Sequence, residues 1–289
     1  MNAWRSAAMT DEHDLIDAPL GQAGSGRVRY GAAMALWREG RISPEVLEVY
    51  RVTAAHDGRD PLQVLAERGL PAPPVHKTPP ILALYAAARD YLLALDHPGA
   101  AEVRAGLPAD PGPERAVTPH PNGVVDRWLN PALQGLSGTH PVLARAIAKA
   151  AGALDWVTYD AYPLDLIGKD FAAGHAFASL IGGDAPFAAH DFDMGLFLIA
   201  PGTLYRDHAH ASPELYAPLT GPHGWRFGVG RPLMAKPAHA PVWNPPHQPH
   251  LTKVGPVPFL ALFVWTRDVD DPALVIPSDD WAKLEAANV

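Results

Sequence analysis

The stretch Gly202-Thr-Leu-Tyr205-Arg-Asp-His208-Ala-His210-Ala-Ser-Pro-Glu214-Leu-Tyr216-Ala-Pro-Leu-Thr-Gly221 organises the reading of this chain. His208 and His210 are one residue apart, so in an extended segment both side chains project to one face. Ser212-Pro213 marks a short bend, and Glu214 returns to that face beyond it. Two neutral nitrogen donors and one anionic oxygen donor suit a divalent first-row transition metal. A downstream segment, Asn244-Pro-Pro-His247-Gln-Pro-His250, offers a fourth donor.

Composition narrows the donors and the partners. Among 289 residues there is no cysteine, which excludes disulfides, thiolate metal sites and thiol catalysis. The formal charge of −8, from 23 basic and 31 acidic residues, argues against nucleic acid and anionic membrane surfaces as partners. Hydrophobic residues at 48% describe an ordinary globular chain with one large core or two small ones. The apolar run Ile81–Leu95 is broken by Arg89-Asp90, so it does not predict a bilayer span. The start, Met1 to Ser6 followed by Asp11-Glu12-His13-Asp14, has no basic region followed by an apolar one and predicts no signal peptide. The expected location is therefore cytoplasmic. A monomer and a homodimer are both compatible with the sequence.

Before residue 155 the pattern is helical. Ser43-Pro44-Glu45 and Asp60-Pro61 are capped helix starts, and Gly69 ends the second helix. Leu82, Tyr85, Ala86, Tyr91, Leu92 and Leu95 keep helical spacing after Pro80. Pro108-Ala-Asp-Pro-Gly-Pro-Glu, within 106–122, reads as a linker. Further helices are expected over Val124–Gln134, which Pro131 interrupts and Gly135 ends, and over His140–Leu154. After Trp156, short runs bounded by Gly or Pro read as strands: Asp193–Ala200, Trp225–Val229, Pro241–Trp243 and Pro258–Thr266. The 32 prolines suit corners of such a sheet structure. Ser278 to Ala287 reads as a serine-capped closing helix. The expectation is an α+β chain: a helical region over 1–155, then a strand-rich domain with a closing helix over 156–289.

The string Gly202-x5-His208-x-His210-x3-Glu214-x6-Gly221 matches the first motif of the cupin superfamily in full. The second motif is matched in part. Pro245 and His250 keep its proline and histidine, while His239, His247 and Val254 stand where it has glycine, glycine and asparagine. The fourth ligand thus lies between His250 and His247, and the proline spacing favours His250. Tyr205 and Tyr216 extend the match to Tyr-x2-His-x-His-x3-Glu-x-Tyr-x4-Gly, which resembles the cupin-type dimethylsulfoniopropionate lyases. The resemblance implies a C-terminal cupin double-stranded β-helix, or β-barrel, and one divalent ion on His208, His210, Glu214 and His250. Manganese, iron, cobalt, nickel and zinc all accept such ligands.

The resemblance also implies a chemistry. A small carboxylate substrate loses an α-proton and then dimethyl sulfide, with the metal stabilising the developing negative charge. It places the catalytic tyrosine at Tyr216, with Tyr205 as orienter or alternate base, and an aromatic pocket residue at Trp265. Trp265 and Tyr205 would then face the sulfonium cation. A cupin dioxygenase or isomerase, and a non-catalytic ligand-binding cupin, are the competing classes; neither needs these three aromatic residues. Asp191 and Asp193 read as a solvated turn, His56, His97 and His223 carry no assignment, and spacing gives no basis for placing His175 or His190 in the site.

Overall fold

The computed structural model describes residues 15–73 and 78–289. The start of the chain, on which the signal-peptide reading rests, lies outside them. The chain forms two compact units that divide between Pro79 and Pro80. In the first, helices α1 (Ser25–Arg38), α2 (Pro44–Thr53) and α3 (Pro61–Glu67) bury Leu36, Val46, Val49, Tyr50 and Leu65. The Ser43 and Asp60 side chains accept from the backbone N–H groups of Val46 and Leu62, as their cap positions require.

The second unit opens with α4 (Pro80–Leu93), α5 (Pro98–Gly106), α6 (Gly123–Thr139) and α7 (Pro141–Ala150). Helix α6 runs through both Pro131 and Gly135, which corrects the shorter helix expected from the sequence. Asn122 caps it, and Leu129, Ala132, Leu133 and Leu136 continue one buried stripe across the proline. That packing outweighs a proline cost of roughly 3 kcal/mol. The proline-rich segment after α5 lies within this unit: the Arg115 guanidinium donates to the carbonyls of Gly183 and Ala185. Two short helices the sequence did not announce, α8 (Leu164–Ile167) and α9 (Lys169–Gly174), precede the sheets.

Eleven strands follow among the described residues: β1 (His175–Gly182), β2 (Phe187–Ala188), β3 (Asp193–Ile199), β4 (Leu204–Ala209), β5 (Glu214–Pro218), β6 (His223–Phe227), β7 (Met234–Lys236), β8 (Val242–Asn244), β9 (His250–Lys253), β10 (Phe259–Trp265) and β11 (Leu274–Val275). They form one sheet in the order β2-β1-β3-β10-β5-β8 and another in the order β11-β4-β9-β6-β7. From β3 onward, apart from the β6–β7 hairpin, the chain passes back and forth between the two, the topology of a double-stranded β-helix. The result is two sheets rather than one closed barrel. Alternation assigns the faces. Met194, Leu196, Leu198, Leu215 and Leu262 pack with the helices, while Phe197, Ile199, Tyr216 and Phe263 pack with Tyr205 and Trp225 of the second sheet.

Both motif glycines have backbone reasons. Gly202 has φ of 74° in the turn before β4, a conformation other residues rarely adopt. A Cβ at Gly221 would lie 2.4 Å from the Ala238 nitrogen. The closing helix is α10 (Trp281–Glu285), shorter than expected; Ser278 donates to the Asp280 carboxylate instead of capping it.

Gly195 is the tightest contact between β1 and β3: a Cβ there would lie 2.1 Å from the Ala178 oxygen. Gly195→Ala must push the strands apart. It is expected to destabilise by about 1–3 kcal/mol, read as a lower urea midpoint at an unchanged slope.

Candidate active site

Each of three imidazoles is oriented by a carbonyl two residues away. Nδ1 lies 2.8 Å from the Arg206 oxygen in His208, 2.7 Å from the Ser212 oxygen in His210 and 2.8 Å from the Gln248 oxygen in His250. A carbonyl oxygen only accepts, so each Nδ1 carries the proton and each Nε2 presents a lone pair. All three side chains are buried, and their ligand atoms lie within 4.8 Å of one another. The Nε2 atoms of His210 and His250 have no hydrogen-bond partner. Buried nitrogens with converging lone pairs fit a cation. His247 is exposed at a turn, with φ of 58°, and lies outside the cluster; its backbone N–H donates to the His210 carbonyl.

Glu214 completes the donors. Its Oε2 lies 3.4 Å from Nε2 of both His210 and His250. Asn244 Nδ2 donates to Oε2 at 2.9 Å, and Trp265 Nε1 donates to Oε1 at 2.8 Å. Both partners follow from sheet register, since Glu214 pairs with Asn244 on β8 and with Trp265 on β10. The indole also stacks on His210 with centroids 4.5 Å apart. Trp265 therefore holds a donor as well as lining the cavity.

A bulge brings Tyr205 to the site. Strict alternation puts residues three apart on opposite faces, yet Tyr205 stacks on His208 at 3.8 Å. The β4–β9 register shifts between Tyr205 and His208, and the extra residue re-aims the strand. Asp207, within that shift, is paired with the Arg226 guanidinium and accepts from Trp281 Nε1 at 2.7 Å. Tyr216 faces the same interior from β5, two residues after Glu214.

Next to these groups lies a cavity of about 310 Å³ lined by Tyr162, Tyr205, Glu214, Tyr216, Phe263 and Trp265, among others. Sequence reasoning missed Tyr162, whose hydroxyl lies 2.8 Å from that of Tyr205, because it sits in a loop outside any motif. His175 also lines the cavity. Asp193 corrects the expectation of a solvated turn: it begins β3 and faces the cavity, whereas Asp191 is exposed and accepts from the Val269 N–H. The β3 alternation that makes Phe197 and Ile199 face inward places Asp193 there too.

Burial dominates the electrostatics. It holds His208 well below the usual imidazole range, helped by His250 and His210. Burial opposes charge on His210, but the Glu214 carboxylate outweighs it and raises that imidazole. Burial alone would raise Glu214; His210 and His250 instead hold it well below the carboxylate range. The Tyr216 phenol is pushed well up by burial and by Glu214, and Tyr205 by burial and Tyr162. Protein groups alone thus keep both phenols protonated.

Over residues 103–261, more than half of its length, the chain matches the family model described as dimethylsulfoniopropionate lyase. The chain belongs to that family. DddL of Cereibacter sphaeroides is 28% identical over 179 residues, 59% of this chain and 69% of DddL. The dimethylsulfoniopropionate lyase DddQ of Ruegeria pomeroyi is 31% identical over 134 residues, 45% of this chain and 65% of DddQ. The crystal structure of DddQ from Ruegeria pomeroyi superposes with a TM-score of 0.52 at 23% identity, covering 70% of this chain and 99% of that one. A structure from work on the dimethylsulfoniopropionate lyases RdDddP and RnDddQII gives 0.56 at 23% identity, covering 68% and 98%. Both likenesses show a shared fold. No helix among the described residues is long and apolar enough to cross a membrane.

For this family member two expectations follow. The purified chain should carry about one divalent ion, and His210→Ala should lose it by elemental analysis; full occupancy in that variant would put the site elsewhere. Trp265→Phe keeps a ring against His210 but removes the N–H to Glu214. A competition titration should show metal affinity lower by roughly 10–100-fold.

Proposed function

We propose that this chain cleaves dimethylsulfoniopropionate to acrylate and dimethyl sulfide by β-elimination, at the cavity beside His208, His210, Glu214 and His250. The observation that carries this reading is that Glu214 joins the three converging imidazoles to a cavity it lines together with two inward tyrosines, Tyr205 and Tyr216, in a chain of the lyase family. Bound to the four donors, a divalent ion would supply Lewis-acid stabilisation of the substrate carboxylate and a positive charge offsetting Glu214 beside the Tyr216 phenol.

The chain's own groups divide the remaining work. Tyr216, as phenolate, takes the proton from the carbon alpha to the carboxylate. The freed electron pair forms the double bond to the β-carbon, and the β-carbon–sulfur bond breaks. Sulfur keeps the two electrons of the broken carbon–sulfur bond and leaves as neutral dimethyl sulfide, so no acid is needed at that end. Tyr205 fits an orienting role, because its hydroxyl is engaged by Tyr162 and its ring is fixed against His208. Phe263, Phe177 and Trp265 give the wall apolar and aromatic faces, which exclude water and suit a cationic head. The substrate class is a small carboxylate, the location we propose is cytoplasmic, and the metal is any first-row divalent ion that His and Glu accept.

Headspace dimethyl sulfide after addition of dimethylsulfoniopropionate is the direct test. A chain that binds metal yet releases none would belong to another reaction class. Tyr216→Phe should keep the metal and lose turnover by roughly 10²–10⁴-fold, the usual contribution of a general base. A rate near that of the wild type would transfer the base role to Tyr205.

A further inference from the structure

The elimination gives no task to three carboxyls that line the cavity, and of these Asp193 has a buried oxygen while Asp270 and Asp271 are exposed. Asp193 faces inward from the first position of β3. In the sheet register it lies opposite Trp265, and Trp265 lies opposite Glu214. A carboxyl, an indole and a donor carboxylate thus stand side by side on one row of the sheet. With strands about 4.8 Å apart, the Asp193 and Glu214 backbones are separated by about 10 Å.

The surroundings of Asp193 are those of a group prepared for a cation. Its Oδ1 is buried with no hydrogen-bond partner. The carboxyl packs against Gly182 of β1, where a Cβ would lie 3.1 Å from that oxygen, so glycine is what lets Asp193 sit there. Burial pushes the carboxyl up to about 6, against the Ser179 hydroxyl and the Met194 N–H. Asp270 and Asp271 are exposed among the lining residues, and no Lys or Arg is among them. A buried carboxylate with no cation of its own is costly, and a positive ligand group relieves that cost.

We propose that Asp193 is the specificity-determining residue of the cavity: its carboxylate pairs with the permanently cationic head, sulfonium or quaternary ammonium, of a short carboxylate substrate. The inference rests on the reading above only in placing the substrate carboxylate at the His and Glu donors. Trp265 and Asp193 divide the recognition of the head, the ring meeting its alkyl groups and the carboxylate meeting its charge.

Calorimetry on the whole 289-residue chain as purified tests this without turnover. The probes are 3-(trimethylammonio)propionate and 4,4-dimethylpentanoate, its isostere with an uncharged head; both keep the carboxylate and they differ in nitrogen against carbon. The wild type should prefer the cationic probe by about tenfold or more. Asp193→Asn should abolish that preference while binding the uncharged probe within about twofold of wild type, a control for fold and metal site that Asp193→Ser repeats. In turnover, KM for the sulfonium substrate should rise more than kcat falls. A wild-type preference retained in both variants, or equal loss of both probes, overturns the proposal. Charge preference in a wild type that releases no dimethyl sulfide removes the lyase reading and leaves this one standing. Dimethyl sulfide release without charge preference does the reverse.

Discussion

The site depends on the orientation of three imidazoles by backbone only two residues distant. His208, His210 and His250 spend their Nδ1 protons on the carbonyls of Arg206, Ser212 and Gln248. The tautomer and the ring direction are therefore fixed by the local path of β4, the corner after it and β9. A ring held in this way loses little freedom when it binds a cation. The two sheets need only bring three short segments together, and the β4–β9 pairing does so by setting His208 opposite His250.

Glu214 brings in the other sheet. A carboxylate buried between the sheets must be compensated, and its partners come from neighbours on its own row, Asn244 and Trp265. The same row positions Asp193, so strand register alone decides which polar groups face the cavity. A one-residue slip of β10 would take the indole N–H from Glu214 and turn Trp265 toward the helices. The helices packed on the far face of that sheet, through Leu133 and Leu136 against Leu196 and Leu262, oppose such a slip. In this sense the helices on the far face support the site without lining its cavity.

Much of this was legible in the chain. His208, His210 and Glu214 are close in sequence and share a face by alternation across a bend, so their spacing carried the information. Their resemblance to a known motif pointed to the topology and the two inward tyrosines. What was not legible depends on pairing between distant segments. Tyr205 reaches the site through a register shift that contains Asp207, whose partners Arg226 and Trp281 are distant in sequence. Asp193 looked like part of a polar turn with His190 and Asp191; that it begins β3, in register with Trp265 and on the face of Phe197 and Ile199, emerges from the strand pairing. Helix α6 outran Pro131 and Gly135 because the sheet beneath it rewards the buried stripe more than the local signals penalise it.

A stack of four rings links the helical entrance of the sheets to the donors. His175 lies 4.0 Å from Phe171, Phe171 4.0 Å from Tyr205 and Tyr205 3.8 Å from His208, all nearly parallel. His175 stays neutral at physiological pH, since burial lowers it to about 4 against the opposing pull of the Phe171 carbonyl. Its Nδ1 lies 2.6 Å from that carbonyl, and its Nε2 accepts the Tyr159 N–H at 3.0 Å. An uncharged imidazole at that end adds no positive charge to the wall that would repel a cationic substrate. The stack thus does two things: it sets the depth of Tyr205 against His208, and it keeps one side of the cavity apolar. The polar work is left to the opposite row, where Asp193, Trp265 and Glu214 stand in register. On the proposed reading, the asymmetry of the two walls is what would orient a substrate carrying both charges.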